Sequence, residues 1–185
     1  SVEPGYSVML RPGAEKSNRA PRPLTPPRLL GLIDKAKAFA LLQTQQPDAI
    51  ANVEYADHRD KPLISDCGEY EVRLTEAFRF PQDDAIVFHL AIENRSDKAI
   101  EHTPEKLEVR AADRVFNPSL TDLVSGIAPH ESTIGYVVVS GGRNGRNDLS
   151  LKNDFSFVLS RRDPAVEINT PDAKDTDIEP APLPQ

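Results

Sequence analysis

The chain has 185 residues, 38% hydrophobic and 28% charged, with a net charge of −7. That length holds one domain with extensions or two small ones. The negative balance argues against a protein whose whole surface binds nucleic acid, since phosphate binding needs positive charge. Trp is absent and aromatic residues make up 6%, so a core must rest on Leu, Ile, Val and a few Phe. The single cysteine, Cys67, excludes an internal disulfide. No run reaches the roughly 20 apolar residues that cross a bilayer. The chain opens on Ser1, which reads as a mature form or a fragment of something longer, with any signal peptide removed upstream.

Proline is concentrated at the two ends. Pro4, Pro12, Pro21, Pro23, Pro26 and Pro27 crowd the start, and Pro164, Pro171, Pro180, Pro182 and Pro184 the finish. A residue with fixed φ and no N–H donor favours extended arms over helix or sheet interior. The arms differ in charge. Residues 1–25 form a basic arm carrying Arg11, Lys16, Arg19 and Arg22, with Arg28 just beyond it. Residues 163–185 form an acidic tail in which Asp172, Asp175 and Asp177 stand close together. Composition alone also fits two disordered tails. Arms of opposite charge with no core of their own fit contacts with neighbouring subunits.

Between the arms, residues 26–47 are expected to be one amphipathic helix. Thr25 is its expected cap, and Pro26 or Pro27 suits the first turn. Leu29, Leu32, Ile33, Ala36, Phe39 and Ala40 recur at spacings of three and four and make one apolar stripe. The stripe must be buried on the chain's own strands or on a partner, and the first is the expectation. Residues 48–68 read as an irregular linker with some strand character at residues 51–55 and 63–64.

From Tyr70 the period changes to two. Tyr70, Val72, Leu74, Phe78 and Phe80 are expected on one face of a half-buried strand, opposite Glu71, Arg73, Thr75 and Arg79. A turn at residues 81–84 leads to a second strand with Ile86, Phe88, Leu90 and Ile92 inward, so the pair reads as a hairpin. After the turn at Asn94–Asp97, short strands are expected at residues 99–101, 107–111 (Leu107, Val109 and Ala111 inward), 114–117, 133–139 and 154–160. Phe155, Phe157 and Leu159 share a face of the last one. Such spacing predicts a mainly β chain, an immunoglobulin-like antiparallel β-sandwich over residues 69–162.

Residues 90–100, LAIENRSDKAI, resemble the opening "strand, Asn, small polar turn, Lys, strand" of immunoglobulin-like domains in bacterial envelope proteins. Residues 107–118, LEVRAADRVFNP, resemble their next hairpin. Residues 127–132, IAPHES, followed by Gly135–Val139, are similar to the "Pro-Gly-Glu-Ser … Gly-strand" segment of the DUF4352-like group, with His130 where Gly is usual. The resemblance lies within about residues 90–139. The resemblance implies an extracytoplasmic adhesive or scaffold module and carries no catalytic residue.

Chemistry is sparsely signalled. Asp57-His58-Arg59-Asp60 is the densest cluster, but Arg59 opposes a cation and no metal-ligand spacing is met. His89 is expected partly exposed beside Arg73 or Glu71. Cys67 has no His or Cys at motif spacing and reads as a buried or linker thiol. The glycine-rich residues 141–147 lack the Lys-Ser/Thr of a phosphate loop, and read as a flexible connection or as a contact surface in which Arg143, Asn144 and Arg146 meet carboxylates. No catalytic, cofactor or metal site is expected. The expectation is a non-enzymatic structural subunit of a bacterial cell-envelope or extracellular assembly. It would be periplasmic or extracellular, with protein partners and no nucleic acid or membrane span. Its contact residues would be Arg11, Arg19, Arg22, Arg28, Arg143, Asn144, Arg146, Asp172, Asp175 and Asp177. The alternatives are a small-ligand or carbohydrate-binding module, which would need exposed aromatics, and a virion surface protein on the same fold.

Overall fold

A computed structural model describes residues 24–141 and 149–163, together with Pro184. Two helices come first. Helix α1 (Pro26–Lys37) starts at Thr25, whose carbonyl accepts from the Leu29 N–H at 3.0 Å although its hydroxyl makes no capping bond. The single helix expected over residues 26–47 is broken at Ala38 (φ −89°, ψ 3°), and helix α2 (Phe39–Gln45) continues from there. The break changes the phase of the stripe. Leu29, Leu32, Ile33, Ala36 and Phe39 are buried as expected, but Ala40 is exposed and Leu42 turns toward the core in its place.

The rest is mainly β and antiparallel. The larger sheet contains β1 (Glu54–Asp57), β2 (Leu63–Asp66), β3 (Tyr70–Phe80), β4 (Ala85–Asn94), β8 (Leu120–Thr121) and β10 (Ser132–Ser140), in the order β1-β3-β4-β10-β8 with β2 also on β3. The smaller sheet is β11-β6-β7, from β6 (Glu108–Ala111), β7 (Arg114–Phe116) and β11 (Phe155–Val158). β5 (Ile100–Glu101) and β9 (Gly126–Ile127) form a separate pair. Where residues 48–68 were expected to be a linker with some strand character at 51–55 and 63–64, β1 and β2 both hydrogen-bond along β3 and supply its outer neighbour.

Strand β3 departs from simple alternation. Leu74 lies opposite Leu90, but Glu76 lies opposite His89, so Thr75 is an extra residue, a β-bulge. Its hydroxyl donates to the His89 carbonyl at 3.0 Å, and its own carbonyl accepts the His58 N–H at 2.8 Å. One extra residue reverses which side chains point inward. Tyr70, Val72, Leu74 and Ala77 face the smaller sheet, whereas Phe78 and Phe80 face the helices. The single face expected for Tyr70–Phe80 is thus divided between two cores.

The inter-sheet core joins Leu74, Ile86, Phe88, Leu90 and Ile92 to Val109, Phe155, Phe157 and Leu159. Phe88 meets Phe155 and Phe157 edge-on, with ring centroids 4.8 and 5.3 Å apart, a favoured aromatic geometry. On the opposite face, Phe78, Val87 and Val138 bury the helical stripe, and Phe39 lies against Tyr55 and Phe78. β4 is consequently buried on both sides over Ala85–Phe88. The helices are packed on the chain's own sheet.

Two polar devices close the structure. Ser65 accepts the Phe157 N–H through its hydroxyl at 2.9 Å, and the Tyr70 hydroxyl accepts the Leu159 N–H at 2.9 Å. Backbone donors at the edge of β11 are satisfied from the larger sheet in this way. Burial pushes the Tyr70 phenol up to about 12, helped by the neighbouring Cys67 thiol. Asn94, fully buried, donates to the carbonyls of Lys98, Ile127 and Ala128 at 2.7, 3.1 and 3.1 Å, and accepts the Ser96 N–H at 2.9 Å. One amide thus joins the end of β4, the following turn and the end of β9.

Replacing Asn94 by Leu is expected to lower unfolding free energy by about 2–4 kcal/mol in urea titration, because several buried carbonyls lose their donor. Ala112 occupies the first turn position of the β6–β7 hairpin with φ 52°, which favours glycine. Ala112→Gly is expected to leave stability unchanged or raise it by up to about 1 kcal/mol, whereas Ala112→Val should cost about 1–2 kcal/mol.

Candidate functional site

Helices α1 and α2 cover only one end of the outer face of the larger sheet. Beyond them the register lays out three rows of side chains. The first crosses Asp57, Glu76, His89 and Tyr136. Glu76 is its centre: Oε1 accepts the Tyr55 hydroxyl at 2.8 Å, and Oε2 lies 2.9 Å from His89 Nδ1. The His89 ring stacks on Tyr136 at a centroid distance of 4.3 Å and an interplanar angle of 3°, and Lys37 Nζ lies 5.2 Å from the same phenol ring. Lys37 also pairs with Asp122 at 2.7 Å, a contact that raises its pKa. Burial, followed by the Glu76 carboxylate, pushes the Tyr55 phenol up. Arg59 donates to both carboxylate oxygens of Asp57 at 2.9 and 2.6 Å and holds that acid well below the usual range.

The second row crosses Ile64, Arg73, Ala91 and Ile134. Its outer members, Ile64 and Ile134, are 57% and 67% exposed. The third row holds Asp66, Glu71, Glu93 and Ser132. Arg73 spans rows, bonding Glu71 and, at 3.1 Å, Glu93. Arg95 reaches Glu71 and Asp66 from the turn after β4. The open part of the face is thus two aliphatic side chains framed by paired charges, with a partly buried His–Glu–Tyr group on its inner side.

Chemically, Glu76 fixes the orientation of His89, as carboxylates commonly do for imidazoles. Among the described residues the His89 ring bonds Glu76 through Nδ1, and its face is taken by Tyr136. Among the described residues no group of three or more His, Cys, Asp or Glu is arranged to hold a metal ion. No described helix is long and apolar enough to cross a membrane. Tyr136, flanked by His89 and Lys37, does not lay an open aromatic platform to a sugar ring.

Of the contact residues expected from sequence, Arg28 is described. It pairs with Asp83 in the turn between β3 and β4, so it tethers α1 to its own sheet. Arg11, Arg19, Arg22, Arg143, Asn144, Arg146, Asp172, Asp175 and Asp177 lie outside the described residues. His89 is not beside Arg73 or Glu71, because the bulge moves it opposite Glu76. His130 has φ 59°, the left-handed conformation that favours the glycine usual in the resembled motif, and its ring bonds Asp97 at 2.8 Å. The exposed row was missed by sequence reasoning. Ile64 stood in a presumed linker, and Ile134 joins it only through pairings across four strands.

No family model matches the chain, and no curated protein matches it. Among solved structures, a functionally unknown protein from Listeria monocytogenes EGD-e is similar at 11% identity, covering 54% of this chain and 80% of that one, with a TM-score of 0.37. A conserved hypothetical protein from Bacillus anthracis is similar at 11% identity, covering 58% of this chain and 92% of that one, also with a TM-score of 0.37.

Replacing Glu76 by Gln keeps shape but removes the charge that orients His89. The expected outcome is an intact fold with a destabilisation of about 0.5–1.5 kcal/mol and a changed His89 imidazole resonance in NMR spectra.

Proposed function

We propose that this chain is a non-enzymatic structural subunit of a bacterial cell-envelope or extracellular assembly, built on an immunoglobulin-like sandwich of the DUF4352-like kind. Its open sheet face and its charged arms bind neighbouring protein subunits. The observation that supports this most is the row of Ile64, Arg73, Ala91 and Ile134, with its two isoleucines in solvent inside a frame of ion pairs. An apolar centre with a polar rim is the usual anatomy of a protein interface. An extended β surface of this kind suits a partner held by shape and paired charge more than a small ligand, which prefers a concave apolar pocket.

The test uses the full chain with Ile64→Asp and Ile134→Asp together. Both side chains point to solvent, so the fold should hold within about 0.5 kcal/mol. The expected result is self-association or partner capture by the wild type in light scattering and crosslinking, weakened at least tenfold in the double variant. A wild-type chain that stays monomeric at high concentration and crosslinks to no native neighbour would overturn the reading.

A further inference from the structure

Away from this face, His102 is fully buried, and neither ring nitrogen meets a hydrogen-bond partner. It sits where three segments converge. Its N–H donates to the Ser125 carbonyl at 2.8 Å, just before β9, and its backbone bridges to Arg161 of the C-terminal segment. That segment is held on both sides of His102: Thr103 donates to the Ser160 carbonyl at 2.9 Å, and Arg162 to the Glu101 carbonyl at 2.8 Å. Arg162 Nε adds a bond to the Thr103 hydroxyl at 3.1 Å, and Arg161 pairs with Glu69. Beyond Asp163 the sequence runs into the acidic residues Asp172, Asp175 and Asp177.

We propose that His102 is a proton-operated latch, closed while the imidazole is neutral, whose protonation releases residues 159–163 from residues 101–103.

A charged imidazole without a partner is costly in a dry site, whereas water at an opened seam solvates it well. The charged groups facing the ring come from each side. Glu101 on β5 and Glu105 in the turn before β6 favour the charged form. Arg162 on the C-terminal segment opposes it, while Arg161, bridged to His102 through its backbone, turns its charge to Glu69. The β9 side offers Val124 and Ser125, which carry no charge, and the Val124 backbone favours the proton without reaching bonding geometry. Burial outweighs the acids, so the ring titrates below its ordinary value near 6.5. A base depressed by folding contributes stability that is whole above its unfolded value and is lost as the pH falls below it. One proton is taken up on opening. The opening equilibrium therefore rises as the pH falls below roughly 6.5, until the latched ring itself becomes charged.

The test is hydrogen exchange by mass spectrometry on the full chain at pH 7.5 and 5.0, expressed as protection after correction for intrinsic rates. Peptides covering residues 99–103, 123–127 and 158–163 should lose protection at pH 5.0, while β3 and β4 keep theirs. His102→Phe should hold those peptides at equal protection across the range. Should that variant fail to fold, NMR titration of the wild-type imidazole should show a midpoint that coincides with the loss of protection. Equal protection of the three peptides at both pH values would overturn the latch. So would a pH dependence that survives in His102→Phe, or a loss spread uniformly through β3 and β4.

Discussion

The extra residue at Thr75 is the constraint on which the arrangement depends. A strand with strict period two can bury one face only. The bulge lets β3 bury Val72 and Leu74 toward the smaller sheet, and Phe78 and Phe80 toward the helices a few residues later. The same residue fixes the break between β1 and β2. β1 ends opposite Glu76 and β2 begins opposite Leu74, with the Thr75 carbonyl holding His58 in the loop between them. Its exclusion from the pairing also sets the candidate face, because in a regular strand Thr75, not Glu76, would lie opposite His89.

The two cores use different chemistry to reach the same end. The inter-sheet core is aromatic and aliphatic, closed at its edge by hydroxyls from Ser65 and Tyr70 on the backbone of β11. The outer core is made by a short helical pair whose break at Ala38 turns Leu42 rather than Ala40 inward. Arg28 and Lys37 anchor opposite ends of α1, on Asp83 and Asp122. Those ends define how far the sheet is covered, and so where the uncovered rows begin.

Much of this was legible in the residues themselves. Alternation in β6 and β11 named the buried side chains, since each has one clear apolar face, and in β4 it named those that face the smaller sheet. The apolar stripe of α1 was legible for the same reason. Asn94 stood out as part of a turn pattern, and its three carbonyl partners supply the physical reason for an amide there. The bulge was not legible, because Ala77 and Phe78 are adjacent apolar residues that fit either phase. β1 and β2 were legible only as strand character at residues 51–55 and 63–64, because Pro62 and the polar residues 57–61 break the run where the bulge requires a gap. The exposed row depended on pairing register, a non-local property that no single segment carries.

The most direct measurement is the stability of a chain with Thr75 deleted, followed by circular dichroism and urea titration. Removing the extra residue joins Leu74 directly to Glu76 in continuous register, so Leu74 and Phe78 keep opposite sides and both cores keep their side chains. The account predicts that cooperative unfolding is retained, at a cost of about 1–3 kcal/mol for the lost Thr75 hydrogen bonds. A deleted chain that no longer folds cooperatively would contradict it, because that is the outcome for a regular strand whose faces are exchanged by the loss of one residue.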